Sequence, residues 1–128
     1  MTKKLSAKLY VMNKLTNNDR NHERHVIRVS FYNNMKVKVG SAMVEGFDSP
    51  NPFMFNFNIY KKYRQQGYGD AAVKYLIKHF KIKTLTVDCS NKIAIHMYVK
   101  NKFGIICVFN YDGKAYMNME YKYKYKVI

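Results

Sequence analysis

Little in this chain serves crosslinking, membrane crossing or the reading of bases. There are two cysteines, Cys89 and Cys107, both in strand-like segments without CxxC or Cys/His ligand spacing. Buried reduced thiols are expected, with no disulfide and no metal site. No apolar run approaches the roughly 20 residues of a membrane helix, and the start MTKK leads into no signal-type segment. A soluble, cytoplasmic protein with no membrane association is expected. Arginine is scarce, four among 23 Lys and Arg. That scarcity matters because the formal charge of +15 invites a nucleic-acid reading. Lysine supplies charge, but the bidentate fork that reads phosphate and guanine belongs to arginine. The chain is equally heavy in Asn, Ile, Tyr and Phe, the drift expected of an AT-rich coding sequence. Weak, non-specific nucleic-acid binding is the most this surface implies, although its field would concentrate acidic ligands. Internal repeats and low-complexity linkers are absent, and the 128 residues form one domain, 1–128, large enough for a core.

What is present centres on residues 59–71, IYKKYRQQGYGDA. Before them, Phe53, Phe55, Phe57 and Ile59 alternate with Met54, Asn56, Asn58 and Tyr60, the period of a strand with one packed face. After them, Ala72, Val73, Leu76, Ile77 and Phe80 recur at helical spacing, with Lys74, Lys78 and Lys81 opposite. Residues 64–70 are therefore a strand-to-helix loop. Gly67 and Gly69 let its backbone approach a ligand, and the helix start offers N–H groups without intrahelical acceptors. Such a turn favours an anion, a pyrophosphate being the obvious one. Standing alone, RxxGxG is better read as a tight turn with Arg64 as a solvated surface charge.

A second block accompanies it. Leu85, Thr86 and Val87 form a short strand, Asn91, Ala94 and Tyr98 follow on one helical face, and the chain continues VKNKF. IYKKYRQQGYGDA resembles the acetyl-CoA signature of the GNAT superfamily of N-acetyltransferases, a strand followed by Q/R-x-x-G-x-G/A at a helix start. LTVDCSNKIAIHMYVKNKF resembles that superfamily's next motif, a strand, N-x-x-A-x-x-x-Y and K-x-G-F. The two blocks cover about the second half of the chain, and the pairing is far more specific than either part. Lys102 stands where the family usually has glycine, a role Gly104 is expected to take over, and Lys61 where it often has proline.

The resemblance implies an α/β (α+β) fold: a mixed, mostly antiparallel sheet of about seven strands, two main helices and a shortened N-terminal helical region. Residues 5–12 read as the first strand, and 13–24 leave room for one short helix at most, so the acceptor side should be open. Residues 25–32 and 36–47 make a hairpin, with Asn33-Asn34 at the positive-φ turn. Gly40 marks a bulge or a close backbone approach. Both prolines lie in the turn 48–52. Residues 105–110 and 115–125 form a last hairpin around Asp112-Gly113, the second strand facing Met117, Met119, Tyr121, Tyr123 and Tyr125 one way and Asn118, Glu120, Lys122, Lys124 and Lys126 the other. Interleaved aromatic and basic residues suit single-stranded nucleic acid, or a half-buried strand whose lysines discourage edge pairing.

By the same resemblance the strands ending at Tyr60 and Cys89 part, and acetyl-CoA, the acetyl donor, enters between them. Its holders would be Phe57, Asn58, Ile59, Arg64, Gln65, Gln66, Gly67, Tyr68, Gly69, Asp70, Ala71 and Asn91. An acceptor amine, of a small molecule or a protein, attacks the thioester directly, and Tyr98 protonates the departing sulfur. Two alternatives stay open: Tyr98 as a packed aromatic, and Asn91 as a helix cap. Asn56 and Asn58 occupy the strand where many members carry a glutamate base, leaving Glu45, Asp48, Asp88, His96 or a water. His96 reads as a surface residue. Rival functions are a catalytically degenerate CoA-binding interaction module and a lysine-rich nucleic-acid-binding protein. Homo-oligomerisation through the terminal hairpin is a further expectation.

Overall fold

Alternating apolar residues in short runs, interrupted by Asn, Gly and Pro, leave this chain mostly to strands, and strands are what form. The computed structural model describes residues 10–15 and 26–122, with side chains from residue 26 onward. The elements are β1 (Tyr10–Leu15), β2 (Val26–Tyr32), β3 (Lys38–Glu45), β4 (Phe53–Ile59), a 3-10 turn (Lys61–Tyr63), α1 (Tyr68–Phe80), β5 (Thr84–Asp88), α2 (Lys92–Lys100), β6 (Phe103–Tyr111) and β7 (Lys114–Tyr121). The seven strands make one sheet in the order β1-β2-β3-β4-β5-β7-β6. Every pair is antiparallel except β4 with β5, whose crossover is α1. The expected mixed, mostly antiparallel sheet with two main helices is therefore present.

Register shows which face the helices cover. Gly40 pairs with Ile59 and Val44 with Met54, and in the regular strand β3 residues four apart share a face. Met54 and Ile59 are five apart, which strict alternation would put on opposite faces. Asn56, at φ 50°, makes a bulge where the β3–β4 register shifts between Ser41 and Met43, and the bulge reverses the alternation. Both residues thus join a core with Val29, Phe31, Val39, Leu76, Leu85 and Met119. The expected face of Phe53, Phe55, Phe57 and Ile59 is corrected accordingly: Met54 is 1% exposed, while Phe53 and Phe55 are half-buried and stacked at 5.7 Å.

Several turns are made by other means than the sequence suggests. The β2–β3 turn has its positive φ at Lys36, not at Asn33-Asn34. Asn33 is buried and its Oδ1 accepts from the N–H groups of Met35 (2.9 Å) and Val37 (3.1 Å). At the end of α2, Lys102 itself adopts φ 74°, so Gly104 does not take over. Asp112 and Gly113 turn at φ 52° and 79°, as a two-residue hairpin requires. Gly40 is a close approach: a Cβ there would sit 2.3 Å from the Asn58 carbonyl oxygen.

The first strand, expected over 5–12, is described from Tyr10 and runs to Leu15; residues 1–9, the link 16–25 and residues 123–128 lie outside the described residues. Cys107 is exposed, not buried, and Cys89 lies in the turn after β5; both are free. The largest topological correction concerns the end of the chain. β7 runs inside the sheet between β5 and β6, so the edge is β6. No helix among the described residues is long and apolar enough to cross a membrane.

Candidate functional site

β4 and β5 run parallel but pair only at Phe53↔Thr84 and Met54↔Leu85. Beyond those two pairs β4 and β5 no longer pair, and the strands part towards their carboxyl ends. In an open sheet of this type ligands bind outside the carboxyl ends of parallel strands, where neighbouring strands diverge.

At the mouth of the gap the chain turns through Lys61–Tyr63, bends at Gln65 (φ 61°) and Gly67 (φ 87°), and enters α1. The first intrahelical bond runs from Ala71 N–H to the Gly67 carbonyl, 3.1 Å. The N–H groups of Tyr68, Gly69 and Asp70 therefore precede the helical ladder and carry the positive end of its dipole. Around Gly67 a Cβ would meet no heavy atom within 4 Å, leaving open space over the loop. Arg64 folds back: its Nε donates to the Ile59 carbonyl (2.7 Å) and its Nη2 to Asn58 Oδ1 (3.0 Å). This ties the guanidinium to the end of β4 while Arg64 stays exposed to solvent. Gln65 is exposed and Gln66 half-buried, its Nε2 donating to the Lys62 carbonyl at 3.4 Å.

Gly69 has a different task. A Cβ there would lie 3.0 Å from Met97 Sδ and 3.7 Å from Ile59 Cγ1, so it lets α1 seat against α2 and β4. Asp70 lies beside that junction, its carboxylate paired with Lys74 and accepting from Asn101 Nδ2 at 2.8 Å. The Asn101 amide also donates to the Met97 carbonyl, 2.9 Å, and Asn101 is buried. Partial burial works to raise the Asp70 pKa, but hydrogen bonds from Lys74 and Asn101 and the charges of Lys74 and Lys100 prevail and hold it below the usual carboxylate range. This Asp70–Asn101 tie was not foreseen; its signal is a polar residue at the end of a helix pattern. Tyr68 is 3% exposed, edge-on to Tyr63 at 6.4 Å, so its backbone, not its ring, faces the loop. Ala71 is half-buried.

Behind the gap stands Tyr98 of α2, 3% exposed. Phe57 and Phe103 each meet its ring edge-on at 6.1 Å, and burial pushes the phenol pKa up. Asn91 caps α2, its Oδ1 accepting from Ala94 N–H at 3.1 Å, which realises the capping alternative. Among the residues considered as a base, Asp88 Oδ1 accepts from the Ser90 N–H and hydroxyl, both 2.8 Å, and these bonds with the Lys114 charge hold its pKa low. Glu45 pairs with Phe53 at the far end of β4. His96 is exposed, as expected, and Asp48 lies in the β3–β4 turn. Beside α1 a cavity of about 270 Å³ is rimmed by Lys74, Lys78, Lys100 and Lys102 over Ile77 and Tyr121. Among the described residues no group of three or more His, Cys, Asp or Glu is placed to hold a metal.

Residues 6–104 match the family model described as acetyltransferase (GNAT) family. No curated protein matches the sequence significantly. A Bordetella pertussis protein described as a GNAT-family acetyltransferase aligns with a TM-score of 0.64 at 15% identity, over 76% of this chain and 66% of its own. The ribosomal-protein-S18-alanine N-acetyltransferase of Escherichia coli gives 0.61 at 21%, over 84% and 76%. A spermidine N-acetyltransferase of Vibrio cholerae gives 0.61 at 15%, over 81% and 69%. At these identities the likeness shows the fold. The chain spans just under two thirds of the Bordetella protein's length.

Proposed function

The chain belongs to the acetyltransferase (GNAT) family, and from that premise we propose that it moves an acetyl group from acetyl-CoA to an acceptor amine by direct attack. The observation that carries this reading is the parting of β4 and β5 after two residue pairs, with an anion-favouring helix start at one end of the gap and a buried phenol behind it.

The residues suit acetyl-CoA. The open space at Gly67 admits a phosphate to the N–H groups of residues 68–70, and the backbone of Phe57, Asn58 and Ile59 beside the gap supports an extended arm. Gln65 and Gln66 flank the phosphate approach, and Arg64 holds the loop to β4 while adding positive charge. Gly69, Asp70 and Ala71 act through backbone and packing, and Asn91 through its cap. Acetyl-CoA supplies an activated acyl thioester. The acceptor ammonium first gives one proton to water; its nitrogen then bonds to the acyl carbon as the carbon–sulfur bond breaks, Tyr98 donates its proton to the departing sulfur, and the second nitrogen proton, lost as the amide forms, returns through water to the Tyr98 phenolate. A phenol is protonated at neutral pH in any case; the burial that raises the Tyr98 pKa weakens it as an acid, so its proton moves only as full charge develops on the departing sulfur.

Asn56 and Asn58, which cannot take a proton, favour a second reading: the same fold holding CoA without turnover. Native mass spectrometry for co-purified CoA, followed by thiol release with a panel of amines, separates the two. Bound CoA with thiol release supports transfer; bound CoA without release from any amine supports the module. Absence of CoA together with no thermal shift in acetyl-CoA sinks both.

A further inference from the structure

Among the described residues no strand covers the β6 edge of the sheet. β6 pairs only with β7 among the described residues, yet Ile105, Ile106, Val108 and Tyr111 are 54–70% exposed. From Phe103 to Tyr111 the strand reads FGIICVFNY, without one charged residue, in a chain of net charge +15. Proteins usually blunt such an edge with lysine, proline or a covering element; here the lysines sit on β7 and on the helices.

We propose that β6 pairs antiparallel with β6 of a second copy, joining two sheets across a two-fold axis. Charge selects this occupant. The strand is flanked by Lys102 and Asp112, opposite in sign, and pairing over its full length about the central Cys107 sets each Lys102 against the partner's Asp112. A second copy brings an equally long, uncharged edge with the same free N–H and C=O groups, so the contact is self-complementary and closed. Phe109, stacked on Tyr116 at 5.8 Å, faces Ile105 of the other copy in that register. The bulge between Ile105 and Cys107 bends both copies alike. The two exposed Cys107 residues then lie opposite one another, at a Cα separation of roughly 4.5–5.5 Å, within disulfide reach.

Sedimentation equilibrium of the full chain between about 1 and 200 μM tests this, alongside mild copper-phenanthroline oxidation. A dimer is expected, with Val108→Lys raising its dissociation constant roughly tenfold or more, because it sets a charge against the partner's Ile106 and brings the two lysines to diagonal positions about the axis. Met35→Lys, an exposed apolar residue in the β2–β3 turn given the same charge, should leave it unchanged. Oxidation should yield a crosslinked dimer that Cys107→Ser and Val108→Lys both abolish. A wild-type monomer throughout overturns the proposal, whether the edge is covered by residues 123–128 or by nothing. So does a dimer that survives Val108→Lys with unchanged circular dichroism, a dimer without the Cys107 crosslink, or assembly that grows beyond two.

Discussion

Tyr98 separates packing from chemistry, because its ring and its hydroxyl have different tasks. The ring fills the space between Phe57 and Phe103, which Phe fills as well, so Tyr98→Phe removes the proton donor and little else. Acetyl-CoA affinity should hold while kcat falls by roughly 10² to 10⁴-fold, the usual worth of a general acid; steady-state kinetics beside a direct binding titration shows whether the two separate. Equal loss of both makes the hydroxyl a ligand contact, and intact turnover makes it structural. Lys102 is strained in a different way. At φ 74° its Cβ opposes the left-handed conformation that glycine adopts freely. Lys102→Gly should therefore stabilise the fold by about 0.5–1 kcal/mol, seen as a higher urea midpoint at unchanged slope.

The glycines of the α1 start look interchangeable as letters, but they serve different elements. Gly67 faces open space and needs its positive φ; Gly69 faces Met97 of α2. Gly69→Val should cost about 1–3 kcal/mol through overpacking. Gly67→Val meets no neighbour, pays only backbone strain, and should abolish the acetyl-CoA thermal shift, worth about 2.7 kcal/mol at ligand one hundred times its dissociation constant. Differential scanning fluorimetry with and without acetyl-CoA distinguishes the lesions; an unchanged shift in folded Gly67→Val removes the phosphate from this loop. The Asp70–Asn101 tie between the helices adds a pH term. The folded pKa of Asp70 lies below its ordinary value, so its stabilisation is complete above about pH 4, the unfolded value, and is lost as pH falls through the folded one. Because the Lys74 partner is solvent-exposed, the effect stays under about 1 kcal/mol. Asp70→Asn should flatten that part of the acid-unfolding curve, and a curve parallel to wild type would assign the tie no electrostatic weight.

Across the whole molecule the lysine excess acts as a field. Nucleic acid should bind weakly, without sequence preference and with an affinity that falls steeply with salt, since phosphate neutralisation by lysine releases counterions and reads nothing. Filter binding over a salt series measures the slope; tight, selective binding at physiological salt would make nucleic acid the partner. The same field should concentrate acidic ligands near the face that carries Lys74, Lys78, Lys100 and Lys102.

Local spacing was enough for the order of elements, the loop between β4 and α1, the turn at Asp112-Gly113 and the placement of Tyr98 on a helix, because period, glycine and turn chemistry act over a few residues. It was not enough for Met54, whose inward face depends on a bulge one turn of the pleat away, nor for Asn101, whose partner is 31 residues distant. Nor could it say that β7 runs inside the sheet and β6 along its edge. Period two tells which side of a strand is apolar; which neighbour pairs with that strand, and therefore which edge stays open, is decided only by long-range hydrogen bonding in the assembled sheet.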